Sequence, residues 1–425
     1  MGSIPESAPP RVRVFIAGGS YAGLSTALNL LDLGEGLSSR LGREPYEHHP
    51  DVPRLDLQIT IADERDGFFH LIGAPLALAD ADYCKKAWVK FGDVTALHEL
   101  PGKVKVLQGS VTSVDPASRT ATVVDHATGL AATHEYDYFV AATGLRRVWP
   151  VVPQALGRKQ YLIEAGEHIH TVANARDGVV VVGGGAVGIE MAAELKMVKP
   201  HVKVTLVHSR EKLLSSEGLP DETRDRALEL LKEAGVECLM GHRLASSDKV
   251  ETVDGAPRYE VKFTNGKTIV ASQVIMAISK STPTTAYLPK STLNEEGYVK
   301  ILPNLGFPAD TPNADVHFCG GDAAQWSGIK RCGGAMHHGT CIAQNIHQTI
   351  TSKLASSPHT PRFQELQEVP PMIGLAVGKT AVAYGPDVGT VSGEDVRQAY
   401  FRDDLGFEIV WNYMKLGGKK EEATA

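Results

Sequence analysis

An α/β fold carrying two copies of one strand, glycine turn and helix unit is predicted by three observations on this 425-residue chain. The segment 12–30, VRVFIAGGSYAGLSTALNL, is echoed at 178–195 by GVVVVGGGAVGIEMAAEL, so that Gly18 and Gly23 recur as Gly183 and Gly188. Each copy opens on a β-branched run and, past its glycines, enters Ala/Leu-rich sequence with helical spacing. Much later, 314–323 reads as a short strand running into Gly320-Gly321-Asp322, which returns the chain to the first unit.

The turn residues have a physical reason. The first glycine allows the tight bend, a small second residue lets the backbone approach a pyrophosphate, and the third lets helix and strand pack closely. The helix N-terminus then offers free N–H groups to phosphate. One such match is a weak signal; two in one chain, each between strand and helix, specify two Rossmann-like dinucleotide-binding units. The candidate cradle residues are Gly18, Gly19, Ser20, Ala22 and Gly23 in the first copy, where Ser20 replaces the second glycine, and Gly183, Gly185, Ala186, Val187 and Gly188 in the second.

Each unit should end its second strand beside the ribose. In the first, 57–62 leads to Asp63, whose carboxylate can accept from ribose hydroxyls. The Gly-, Pro-, Arg- and His-rich stretch 34–56 before it reads as an inserted surface loop, with His48 and His49 solvated rather than binding metal. In the second, 202–207 is followed by His208-Ser209-Arg210 in place of an acid. A missing carboxylate and a nearby guanidinium favour a 2′-phosphate, hence NADPH; NADH stays open because Ser and His also bind an unphosphorylated ribose.

The third signature makes the first cofactor FAD. Asp322, followed by Ala323, is placed to accept from a ribityl hydroxyl, and a helix at about 334–350 can aim its positive end at the flavin edge that gains negative charge on reduction. The strand 138–141 ends in Ala142-Thr143-Gly144, a hinge from the first unit towards the second.

Composition narrows the class. A net charge of -7, with Lys and Arg spread along the chain, gives no footprint for nucleic acid. The 5 cysteines are scattered with no C-x-x-C pair, so neither a disulfide framework nor a metal site is expected. No apolar run is long enough to span a bilayer, and the first residues lack signal-peptide features; a cytoplasmic, reducing location is expected.

On these motifs the chain resembles the glutathione-reductase-like flavoproteins with two dinucleotide-binding domains, and among them the apoptosis-inducing-factor-2 and ferroptosis-suppressor branch. The resemblance runs over about 12–416 and is sharpest at 179–210, with further matches at 63–70 and 84–88. It implies that Glu190 lies near the nicotinamide, that Lys86 meets the flavin region, and that Val111 contacts adenine through its backbone. It also puts Leu76 where related proteins can carry a phosphate-binding Arg. The implied organisation is a FAD-binding domain at 1–148 and 285–350, an NAD(P)H-binding domain at 149–284, and a smaller C-terminal α+β domain at 351–425.

The expected chemistry is hydride transfer from NAD(P)H to FAD, then delivery to a small acceptor. Residues 68–82 contain no cysteine and Cys84 stands alone, which argues against disulfide reduction. A quinone or another small organic acceptor is expected by analogy with the branch. The alternatives are a specialised-metabolism enzyme acting on an aromatic or quinonoid compound, or a redox-sensing interaction protein. A homodimer is compatible with the sequence. The aromatic segment 405–414 reads as a docked terminal helix in preference to a peripheral membrane contact.

Overall fold

The computed structural model describes residues 11–42, 44–52, 54–250, 258–278 and 281–418. Its first sheet follows from the β-branched runs. The strand Arg11–Ala17 pairs in parallel with Asp56–Asp63 on one side and Tyr138–Ala141 on the other. The returning strand His317–Cys319 joins outside Tyr138–Ala141, again in parallel, and Val104–Asp115 joins outside Asp56–Asp63. Two antiparallel strands, Thr120–Asp125 and Ala131–Glu135, complete seven. The parallel strands are covered on both faces, which is why they read as near-continuous apolar runs.

One of those covers is helical. The first helix, Tyr21–Gly34, is buried along its whole length beneath the long helix Cys332–Leu354. Small residues permit the approach: a Cβ on Gly339 would stand 2.5 Å from the Ala22 carbonyl oxygen. Polar side chains in this layer are satisfied internally, with Ser25 Oγ donating to the Met336 carbonyl at 2.7 Å.

The second glycine turn lies in a sheet of four parallel strands, ordered Glu237–Leu239, Val204–Val207, Val179–Val182 and Gln273–Met276. The connections to and from this sheet run side by side: Leu145–Arg147 pairs antiparallel with Ser281–Pro283. Thr143 Oγ1 donates to the Thr284 carbonyl at 2.8 Å and Thr284 Oγ1 returns a bond to the Thr143 carbonyl at 2.8 Å.

The C-terminal part is a three-stranded antiparallel sheet, Ile373–Val377, Thr380–Gly385 and Gly389–Gly393, against the helix Ala186–Val198. A buried ion pair joins the two: Arg397 Nη1 donates to Glu194 Oε1 at 2.9 Å. Breaking such a pair leaves an uncompensated buried charge and costs about 3–5 kcal/mol. The aromatic segment near the end forms the helix Phe407–Tyr413. Phe407, Val410, Met414 and Leu416 are buried and Trp411 stacks on Phe407, so most of its apolar surface is spent inside.

The insert differs from its expected form. His48 and His49 are half-buried rather than solvated: His48 packs edge-on against Tyr46 and His347, and His49 against His359. Arg40 is buried and bonded to Asp32 and Glu99. The loop is thus a packed cover of the long helix, held by partners distant in sequence.

Candidate cofactor sites

The two glycine turns are built alike, atom for atom along the backbone. In the first, the Gly18 amide donates to the Ala62 carbonyl and the Ala142 amide to the Ala17 carbonyl; in the second, the Gly183 amide donates to Val207 and the Ala277 amide to Val182. Gly18 and Gly183 adopt φ of 103° and 126°, which favours glycine, and a Cβ would fall 2.4 Å from the Ala142 oxygen and 2.3 Å from the Ala277 oxygen. Gly23 and Gly188 lie against those turns so closely that a Cβ would sit 1.8 Å and 1.9 Å from the Gly18 and Gly183 oxygens. Each turn therefore brings a helix start down onto the end of a parallel strand, the arrangement that presents amides to a dinucleotide diphosphate.

Space remains at the mouths. At Gly185, which starts Ala186–Val198, and at Gly144, a Cβ would meet nothing within 4 Å among the described residues. Ser20 opens the first helix without a capping bond from its hydroxyl, and Ala22 packs behind it. Ala186 and Val187 are half-buried at the second helix start. A small residue at each turn, an open mouth and a helix N-terminus fit a dinucleotide at each.

The positions expected to read the ribose are also brought to the turns. Asp63 Oδ2 accepts from the Gly19 amide at 2.6 Å and Oδ1 from the Arg65 amide at 2.8 Å, while burial pushes its carboxyl up from the usual range. At the second turn His208 Nδ1 accepts from the Gly184 amide at 3.1 Å, and burial, with Arg210 beside it, lowers its pKa. Arg210 is exposed, and its Nη1 donates to Ser215 Oγ at 3.0 Å; Ser209 beside it is exposed as well.

The remaining predicted residues divide. Asp322 stands beside Arg147, with its Oδ2 3.6 Å from Nη2, and Ala323 is buried behind it. Ala142 and Thr143 carry the strand end into the crossing connections. Val111 lies at a β-bulge in Val104–Asp115, opposite Val123. Glu190 Oε1 accepts from the Ala376 amide at 3.2 Å, and burial raises its pKa to about 8, with Glu194 adding to the effect. Lys86 is not joined to Glu190. Its ammonium is exposed and bonded to Asp404 at 2.8 Å and Glu408 at 3.3 Å, fastening the terminal segment.

Sequence reasoning missed the surroundings of Asp322. A cleft of about 1550 Å³ opens beside it, lined by Lys330, the first turns of the long helix, the insert and residues 358–367, with Trp326, Met336, His338 and Tyr413 among its walls. His338 Nδ1 accepts from the Gly321 amide at 3.2 Å. The His337-His338 pair at the start of the helix was the available signal.

Paired dinucleotide cradles define a FAD-dependent oxidoreductase that uses NAD(P)H. The chain belongs to the pyridine nucleotide-disulphide oxidoreductase family, whose profile matches residues 12–339. It is 51% identical over 425 residues to Oxidoreductase OXR1 of Ajellomyces capsulatus, covering 98% of this chain and 90% of that protein. It is 25% identical over 303 residues to Ferroptosis suppressor protein 1 of Mus musculus, covering 71% and 72%. Among solved structures it is similar to the sulfide:quinone oxidoreductase of Aquifex aeolicus, with a TM-score of 0.64 at 18% identity over 95% and 92% of the two chains.

Proposed function

We propose that this protein is an NADPH-preferring, FAD-dependent reductase of a quinone or similar small aromatic acceptor, working in a reducing, cytoplasmic setting. The observation that carries the nucleotide preference is His208 at the position of an acid, with Arg210 close by. When bound, flavin supplies hydride acceptance from the nicotinamide and onward delivery of electrons.

The chain's own residues bind and orient. The turns at Gly18 and Gly183 receive the two diphosphates, Asp63 takes a ribose hydroxyl, and Asp322 takes a ribityl hydroxyl once it turns from Arg147. Glu190, with a pKa of about 8, is protonated at neutral pH; one oxygen is held by the Ala376 amide, and the acid can donate to the nicotinamide carboxamide. Fixing that ring in register is the main demand, because hydride transfer needs positioning more than acid or base catalysis.

Two facts support the acceptor class. The five cysteines offer no pair for dithiol chemistry, and those at 84, 319 and 341 are buried free thiols. The cleft beside Asp322 has room for a ring system and presents Trp326, Met336 and Tyr413 to it. The test is a two-stage anaerobic experiment: reduce the holoprotein with NADPH, then mix separately with a benzoquinone, a naphthoquinone, oxygen and a disulfide. Quinones should reoxidise it fastest; reoxidation by the disulfide alone, or by none of the four, would refute the assignment.

A further inference from the structure

A guanidinium stays charged at physiological pH, so burying one without an anion is costly. Arg65 is such a group. Its Nε is shielded from solvent and has no hydrogen-bond partner among the described residues. Its Nη2 donates to the Pro153 carbonyl at 3.3 Å, and its carbon centre lies 6.0 Å from the Phe69 ring and 5.8 Å from the Trp88 ring. Burial pulls its pKa below the ordinary value.

Among the described residues none of the acids around it forms an ion pair with its guanidinium. Asp63, whose charge favours the guanidinium, accepts from the Gly19 and Arg65 amides. Glu64 pairs with Arg146 and accepts from Ser110. Asp66 accepts from Trp88 Nε1 at 2.8 Å and from the Arg158 amide at 3.0 Å. The backbone of Arg65 thus adjoins the carboxylate that ties down Gly19, while its guanidinium, held by two aromatic rings and supported at a distance by Asp63 and Glu64, keeps its Nε–H without a partner among the described residues. Leu76, where related chains can carry a phosphate-binding Arg, is buried and supplies none.

We propose that Arg65 is a phosphate-binding residue of the first cradle, its guanidinium turning from the Pro153 carbonyl to take the diphosphate bridge of FAD. Two parallel N–H bonds to phosphate oxygens are the geometry for which the guanidinium fork is suited. The inference rests on the FAD assignment and is independent of the acceptor. NADPH also carries a diphosphate, and Pro153 opens the segment leading to the second sheet, so the experiment must separate the two nucleotides.

The test compares wild type, Arg65→Lys and Arg65→Gln as purified holoproteins. FAD release after dilution, followed by flavin fluorescence, should be about tenfold faster in R65Q and only a fewfold faster in R65K, which keeps the charge but loses the fork. Phosphorus NMR of bound FAD should show the diphosphate resonances displaced in R65K. That spectrum decides the matter even if R65Q does not fold. Unchanged resonances in R65K together with unchanged release would overturn the proposal. So would an unchanged FAD signal accompanied by a tenfold rise in KM for NADPH, which would assign Arg65 to the other nucleotide.

Discussion

His208 holds, in the second cradle, the place that Asp63 holds in the first. The Gly19 amide donates to Asp63 at 2.6 Å, and the Gly184 amide donates to His208 Nδ1 at 3.1 Å. An Nδ1 that accepts leaves the proton on Nε2, which donates to Ser215 Oγ at 3.0 Å; Arg210 Nη1 donates to the same hydroxyl at 3.0 Å. No carboxylate stands at this position, and the exposed Arg210 shares the Ser215 hydroxyl with His208.

Arg210→Ala should therefore raise KM for NADPH about tenfold and leave KM for NADH within about twofold, since only the phosphorylated ribose uses the guanidinium. His208→Asp should reverse the preference by putting a like charge against the phosphate. Steady-state kinetics with both nucleotides check this; equal effects on both would remove Arg210 from phosphate recognition.

Glu190 gives a pH dependence. Its pKa of about 8 in the fold exceeds the ordinary 4.5, so the neutral acid is the favoured form, and its contribution is complete below 4.5 and lost as pH rises through about 8. KM for NADPH should climb above that pH. Glu190→Gln, which keeps a neutral hydrogen-bonding group, should abolish the climb. A wild-type profile flat to alkaline pH would show that the carboxyl does not hold the nicotinamide.

The glycine turns make a separable prediction. Gly183→Ala forces a Cβ to within 2.3 Å of the Ala277 oxygen at a φ of 126°. The variant should purify yellow, because the first cradle is untouched, yet its flavin should be reduced by NADPH at least about a hundredfold more slowly. Gly18→Ala should instead purify with little flavin. Stopped-flow absorbance and FAD-to-protein ratios distinguish these outcomes.

Acid stability follows from buried imidazoles. Burial lowers His70, His168 and His338 to about 4 and His347 to about 3, against an ordinary 6.5. The fold favours their neutral forms, so stability is full above 6.5 and declines as pH falls towards 4. For His168 the loss is at most about 3 kcal/mol. Thermal melts from pH 7.5 to 4.5 should show a falling Tm, and His168→Leu should soften the fall; a constant Tm across that range would contradict the sign.

What could be read from the sequence was local. The strand, turn and helix units and the acid at Asp63 are encoded by contiguous residues whose spacing mirrors backbone geometry. The strand Gly389–Gly393 escaped because Gly-Thr-Val-Ser-Gly has no apolar alternation; its half-buried backbone is ordered by its neighbour, Thr380–Gly385. Lys86 was read towards the flavin, yet its partners lie more than three hundred residues away, and His347, which packs on His48, is as remote from it in the chain. Arg65 carries no motif of its own; only the structure reveals that its guanidinium is stacked between Phe69 and Trp88 with Nε unpartnered among the described residues.

Hydride passage from a nicotinamide in the second cradle to a flavin in the first is the reaction proposed for this fold. Its most direct test is anaerobic addition of one equivalent of NADPH to purified holoprotein while the flavin absorption band is followed. A yellow protein whose band bleaches within the first turnover is expected, with no bleaching in Gly183→Ala on that timescale. A colourless wild-type protein, or a yellow one that NADPH and NADH both leave oxidised, would contradict it.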